Sequence, residues 1–386
     1  MRLLLVNSHG TDVSVGGTEG YVAKLAEGFA ARGAEVSVLS AFPGASTVPA
    51  ERTRALHDTD WRDDRRRRRR NHLDDVVSRP SRKLADAIAW AGPDVVHTHN
   101  LPGITTGVWE VARRAGAAVV HTIHDYHLLC PRVTLLRPDG EPCRPHPLLC
   151  GLRTRSLARW ADRVSHVLGV SQYVIDRHAA LFRRARLDVV RHPFDPSPQR
   201  AFRPPGDRLR TVGYVGALAK TKGTDRLLAA LPAIGELGLE VRMAGEGRLQ
   251  AEVSDAAARS PVLQYDGFVG GEAKDAFLEA CDVGIVPSVW PEPGGPPWAM
   301  LEWLWAGRPV LVSPRGGLAE ALETLPGSLP VEPTTEGIVS ALARLTDGDA
   351  WTEARAGVRP LSDPGAVDRW FDVHERAYRE AMEARA

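Results

Sequence analysis

The sequence predicts an α/β fold built from two doubly wound parallel sheets. Three observations carry this. Short apolar runs such as Arg2–Val6 and Val95–Thr98 alternate with helical periodicities along the chain. The alternation stops at a Pro-rich polar stretch, residues 195–209, and restarts at Thr211–Val215. With 386 residues, 43% of them hydrophobic, the chain can build two cores.

The elements follow in order. Arg2–Val6 reads as a buried strand ending in Asn7-Ser8-His9-Gly10, followed by the loop Asp12–Gly17. A helix follows with Thr18 as its expected N-cap; Val22, Leu25, Ala26 and Phe29 repeat at i, i+3, i+4 and i+7, and Gly33 takes the C′ position. Val36–Ser40 completes a βαβ unit, which implies a right-handed crossover and a parallel sheet. Val95–Thr98, Ala118–His121, Val167–Val170 and Asp188–Arg191 continue this half. In the second half, Glu240–Ala244, Val262–Tyr265, Gly284–Val286 and Pro309–Val312 are strands, and Gly223–Ile234 is a helix. The tail Val367–Ala384 is one amphipathic helix with Trp370, Val373, His374 and Tyr378 on a face.

Composition narrows the function. Lys+Arg is 49 and Asp+Glu 48, a net charge of +1, which excludes a globally basic nucleic-acid binder. No apolar run approaches the roughly 20 residues that span a bilayer, and the amino terminus lacks a signal-peptide core. Four cysteines in a chain of this length form no disulfide scaffold, so the expected setting is the reducing cytoplasm.

Ligands of open α/β sheets bind beyond the carboxyl ends of the strands, which directs attention to Ser8, His9, His97, His99, His121, His124 and Ser171 in the first half. In the second half, Val286–Glu302 runs from a buried strand through Ser288, Trp290, Glu292 and Gly294-Gly295 into a helix. Pro296-Pro297 suit its first turn, the amides of Trp298 and Ala299 make an anion site with the helix dipole, and Glu302 can accept hydrogen bonds from a diol. In Gly213–Gly223, a strand ends in glycine and Lys220 or Lys222 can project over the same anion. Gly16-Gly17 before a helix offer further amides, without the GxGxxG spacing of a dinucleotide site. His124, in HTIHD at a strand end, can donate to a hydroxyl or move a proton.

These pieces, in this order, resemble the retaining GT-B glycosyltransferases of the family four, group 1 type. The likeness rests on GGTEGYVAKLAEGFAARGAEVSVLS, PDVVHTHN, HTIHDYHLLCP, Lys222-Gly223, VRMAGEG and VPSVWPEPGG…LEWLWAGRPVLVSPRGGLAE, and it covers nearly the whole chain. It implies two Rossmann-like domains facing across a cleft: an acceptor-binding domain over 1–196, a nucleotide-sugar-binding domain over 197–362, and a helix over 363–386 that crosses back to the first. By the same resemblance, Glu302 holds the ribose, Trp298 and Ala299 bind the diphosphate through amides, and Lys222 is its cation. Gly16 and Gly17 face the phosphates, while His124 and Glu292 attend the sugar; Lys220, Gly294 and Gly295 complete the donor set. The implied reaction moves a sugar from a nucleoside-diphosphate sugar to a glycan, lipid-linked or small-molecule acceptor, with no metal and no other cofactor. Two departures stand out. Nine residues separate Glu292 from Glu302, more than the family pattern, so that Gly294 occupies the usual first position; and Ala217 stands where an arginine is common.

Other features have competing readings. Arg65–Arg70 reads as a solvated segment, or as a surface steering an anionic acceptor or touching anionic lipid at the inner membrane face. Cys130, Cys143 and Cys150 read as free thiols, or as zinc ligands with His127 or His146. Trp303 and Trp305 read as packing residues, Trp290 and Trp298 as pocket walls. The rival functions are a non-catalytic nucleotide-sugar binder and a metal-dependent hydrolase built on His97 and His99.

Overall fold

A computed structural model describes residues 1–12, 16–59, 77–137, 140–143, 148–194, 201–295, 297–359, 361 and 365–384. The Arg65–Arg70 run, its flanking aspartates, His146 and Pro296 lie outside the described residues. The chain divides into two compact units. The first comprises Met1–Leu135, Cys143–His192 and Val367–Ala386, the second Leu136–Pro142 and Pro193–Ala366.

The first unit is a seven-stranded parallel sheet. Its strands are β1 (Arg2–Asn7), β2 (Glu35–Ser40), β3 (Thr53–Ala55), β4 (Val95–Thr98), β5 (Ala118–Ile123), β6 (His166–Gly169) and β7 (Arg186–Val189), in the order β3-β2-β1-β4-β5-β6-β7. The described helices along its sequence are α1 (Gly17–Ala31), α2 (Arg82–Ala91), α3 (Gly107–Arg114), α4 (Leu148–Leu157) and α5 (Gln172–His178). Central strands buried on both faces need continuous apolar runs, and Leu3–Val6 and Ala118–Val120 supply them. Helix α1 buries Val22, Leu25, Ala26 and Phe29, the predicted stripe, together with Glu19, Tyr21 and Ala23. Its N-cap is Gly16 rather than Thr18, and no side chain caps it. Thr18 lies inside the first turn, where it cannot serve the helix's leading amides in the way a cap does.

The second unit is a six-stranded parallel sheet. It contains β8 (Thr211–Val215), β9 (Glu240–Ala244), β10 (Leu263–Tyr265), β11 (Val283–Val286), β12 (Val310–Val312) and β13 (Ser328–Pro330), in the order β10-β9-β8-β11-β12-β13. Its described helices are α6 (Thr224–Glu236), α7 (Gln250–Arg259), α8 (Gly271–Glu279), α9 (Trp298–Trp305), α10 (Gly317–Thr324), α11 (Thr335–Leu345) and α12 (Gly348–Gly357). Trp303 is fully buried, and its ring lies flat over β8 and β11. A Cβ at Gly213 or Gly284 would come within 2.3 Å of it.

The last helix, α13 (Ala366–Glu383), belongs to the first unit. It lays Trp370, Phe371, Ala377, Tyr378 and Ala381 into that unit's core beside Tyr21 and Phe29. Phe371 sits so close to α1 that a Cβ at Gly28 would fall 2.0 Å from its ring. Among the described residues no helix is long and apolar enough to cross a membrane.

Candidate functional site

In the second unit, β8 and β11 are hydrogen-bonded neighbours, so the loops leaving their carboxyl ends emerge together. After β8, Lys220–Lys222 form one 3-10 turn, and Gly223 adopts φ +75° before α6. A Cβ there would strike the Pro287 carbonyl oxygen at 2.0 Å, so only glycine lets the two loops close on each other. The Thr221 carbonyl accepts from the amides of Val289 (3.1 Å) and Trp290 (3.0 Å), which sews the loops together.

This stitching sets Lys222 beside Glu292. Lys222 Nζ lies 2.6 Å from Glu292 Oε1, and Ser288 Oγ donates to the same oxygen at 2.7 Å. The glutamate side chain is 6% exposed and the lysine 30%, so the carboxylate is sealed while the ammonium retains a solvent-facing side. Nζ also sits 5.1 Å from the centre of the Trp290 ring.

The loop's longer spacing is accommodated in the backbone. Glu292 forms a parallel bridge with Gly316, and its carbonyl accepts from the Gly317 amide at 2.7 Å. Gly316 has φ +64°, and a Cβ on Gly295 would meet the Gly317 carbonyl oxygen at 2.1 Å. Two glycine pairs therefore pack main chain against main chain. Glu292 remains buried at the site, and Gly294, at the family's usual glutamate position, is backbone against the Gly317 loop.

Helix α9 starts after Pro297, which is its N-cap; Pro297 precedes the first turn instead of occupying it. No side chain caps this end, and the first intrahelical bonds come from Met300 (3.0 Å) and Leu301 (3.2 Å) to the Pro297 carbonyl. The amides of Trp298 and Ala299 lie ahead of them, at the positive end of the dipole. One turn on, Glu302 is paired with Lys274 of α8, Nζ to Oε1 at 2.6 Å. Lys274 escaped the sequence reading because nothing local marks it; only packing of α8 beside α9 makes it a partner. Ala217, at the arginine position, uses its carbonyl to accept from Tyr214 Oη at 2.7 Å. Burial raises the Tyr214 phenol well above its ordinary value, so it stays a neutral donor. Trp305 packs against Phe202 at 4.7 Å, as a structural residue does.

In the first unit, Gly16 is extended at φ 170°, and the buried Glu19 occupies the first turn of α1, within 3.2 Å of Asn7 Nδ2. That end already holds a carboxylate, which opposes a second anion close to Gly16 and Gly17. His97 uses both ring nitrogens, to Tyr378 Oη and Thr122 Oγ1, each at 2.7 Å. This removes it as the metal ligand of the hydrolase reading. His124 is 9% exposed, with Nε2 at 3.0 Å from His99 Nδ1 and its ring edge-on to Tyr21. Burial lowers both histidines well below the ordinary imidazole value. Beside them, burial raises Asp125 to about 6 against a 2.7 Å bond from the His127 amide. Cys130, Cys143 and Cys150 are free thiols, and among the described residues no cluster of His, Cys, Asp and Glu is arranged to hold a metal.

Two parallel α/β units, with the Lys222 and Glu292 loops at the carboxyl ends of β8 and β11, have a GT-B glycosyltransferase architecture. Residues 15–198 match the family described as Glycosyltransferase Family 4, and residues 209–347 match Glycosyl transferases group 1. The chain belongs to the family four, group 1 glycosyltransferases. It is 28% identical to a 2-deoxystreptamine glucosyltransferase of Streptomyces kanamyceticus over 69% of this chain and 70% of that one. It is 29% identical to a glycogen synthase of Mycobacterium tuberculosis over 92% of this chain and 88% of the other. The solved structure of HepE from Anabaena in complex with UDP superposes with a TM-score of 0.66 at 17% identity, covering 98% of this chain and all of the other.

Proposed function

We propose that this glycosyltransferase moves a sugar from a nucleoside-diphosphate sugar to an acceptor hydroxyl with retention at the anomeric carbon. The observation that carries the reading is Lys222, held at the mouth of β8 and β11 by a buried glutamate that a serine also anchors, in the unit whose helix α9 starts without a side-chain cap. Cleavage of the sugar–phosphate bond leaves negative charge on the diphosphate. An ammonium and preorganised amides offset that charge where it develops, the kind of term that dominates such reactions. On this reading, Lys222, with Lys220 nearby, faces the diphosphate, and the Trp298 and Ala299 amides receive its oxygens. Glu302 accepts from the ribose hydroxyls, and Gly294-Gly295 give the backbone room.

Glu292 plays two parts: it holds Lys222 in place and presents its remaining oxygen to the sugar. His124 and the Gly16-Gly17 backbone are the first unit's contribution to the donor; because Glu19 opposes a further anion there, that backbone faces the sugar, not the phosphates, and the acceptor, a glycan, lipid-linked or small-molecule hydroxyl, also binds that unit. Same-face attack lets the departing phosphate take the acceptor proton, so no protein nucleophile is needed. The charge is met by lysine and amides, which makes the reaction independent of a metal. The neighbour solved with UDP supports a uridine donor as the first to try. The same reading sets the enzyme in the cytoplasm, and the exposed Leu148, Leu149 and Leu152 of α4 support peripheral contact with a membrane.

The test is a panel of UDP-, GDP-, ADP- and TDP-sugars scored by thermal shift and turnover. The product anomer is read by proton NMR and the rate repeated in EDTA. Binding of one donor class, a retained anomer and an unchanged rate are expected. A panel without binding overturns the donor, an inverted anomer overturns retention, and a rate abolished by EDTA overturns metal independence. Liposome flotation tests the membrane contact.

A further inference from the structure

His99 and His124 follow neighbouring strands, β4 and β5, and their rings meet at the carboxyl edge of the first sheet. His99 is held by its own amide, which donates to the Val6 carbonyl at 2.8 Å. Its ring lies 4.2 Å from His97 and is 2% exposed. At neutral pH each of the two rings carries a single proton, because burial disfavours the cation. The 3.0 Å contact between His99 Nδ1 and His124 Nε2 needs one of those protons.

Two assignments satisfy it. If His124 donates from Nε2, the proton of His99 must sit on its own Nε2, which is buried and has no hydrogen-bond partner. That leaves an orphaned N–H, the costlier kind of unsatisfied group. If His99 donates from Nδ1, only a lone pair is stranded there, and the proton of His124 moves to Nδ1. His124 Nδ1 has no protein partner among the described residues, and the ring lines a small cavity with Asp125 and His127.

We propose that His99 is a positioning residue: it fixes His124 in the Nδ1–H tautomer, so that His124 presents a donor, not an acceptor, to a hydroxyl of the bound sugar. The consequence for the sugar rests on the function proposed above; the tautomer does not.

Nitrogen-15 labelling of the histidines and long-range proton–nitrogen correlation spectra of the full chain read the tautomer directly. The expected spectrum has His124 protonated at Nδ1 and bare at Nε2, with His99 in the same form. A protonated His124 Nε2 in the wild-type protein overturns the proposal, whatever the variants do. His99→Asn keeps a donor near the Nδ1 position and should preserve the His124 signal, whereas His99→Leu should release it. Once a donor has been found, His99→Leu should weaken the nucleotide sugar about tenfold, leave the bare nucleoside diphosphate unchanged, and add nothing in a His124→Ala background. Equal loss for sugar and bare nucleotide means a structural role and overturns the positioning claim. A wild-type protein that binds no nucleotide sugar overturns the proposed function and leaves the spectrum to decide the tautomer.

Discussion

At the scale of single residues, the site turns on who shares a proton or a charge with whom. Lys222 has two neighbours, the Ser288-bonded oxygen of Glu292 and the Trp290 ring, and each limits its freedom to wander. Truncating it to alanine strands Glu292, whose side chain is 6% exposed, with only Ser288 as a partner. Lys222→Ala should therefore cut turnover by about 10²–10³, the range for losing one preorganised group facing developing charge. It should also lower stability, since a buried carboxylate loses its cation. Turnover within threefold of wild type in a steady-state assay would remove Lys222 from the chemistry. Lys222→Ala/Glu292→Gln should recover stability without recovering turnover, separating the two effects in a urea titration. The residues at this site were legible from the sequence because strand-end lysine, paired glycines and glutamate are chemically conspicuous. Their partners were not: Lys274, Ser288 as the holder of Glu292, and Glu19 against Gly16 come together through packing.

At the scale of elements, period and punctuation made the strands readable to within one or two residues, and Thr211–Val215 and Glu240–Ala244 agree at both ends. The edges escaped. Thr53–Ala55 is a short, largely exposed strand, and Ser328–Pro330 ends in proline, so neither carries an apolar run to announce it. The glycines inside strands have a reason that local sequence hides. Gly213 and Gly284 are flat ground under the Trp303 ring, one element's absence of side chain fitted to another's excess. Gly284→Ala would place a Cβ 2.3 Å from Trp303 Cγ, against a rigid indole with no room in the sheet. Overpacking of this kind costs about 1–3 kcal/mol, read as a lower urea midpoint for the second unit. Gly348→Ala in α12, in the same unit and with nothing within 4 Å of a Cβ, is the matched control and should be neutral or stabilising by up to about 1 kcal/mol. Equal midpoints for the two variants would mean that the tryptophan does not lie where this packing requires.

At the scale of the whole molecule, the two units differ in one chemical respect that sequence position makes plain once the fold is known. All 13 histidines fall within the sequence ranges of the first unit. Several are sealed in its core. Burial lowers His121 to about 3, and His178, His192 and His374 to about 4. His374 is part of the tie between α13 and α1, with Nε2 at 2.7 Å from Tyr21 Oη. Between roughly pH 6.5 and 4 the unfolded chain binds protons that these folded imidazoles refuse, so stability falls as pH falls. Each of the three histidines near 4 accounts for up to about 3 kcal/mol across that window. Asp125 works the other way. Its carboxyl is raised to about 6, so acid relieves a buried charge, but one carboxyl does not offset four imidazoles. The second unit has no histidine to respond. Urea titrations followed by hydrogen exchange should show unfolding at pH 7.5 giving way, by pH 5, to two separated steps. The first unit, with α13, should open first, and the second should hold its midpoint. His374→Gln should shift the acid limb of the first step towards lower pH. Loss of both units together at pH 5, or first loss of the second, would contradict burial as the source of the acid sensitivity.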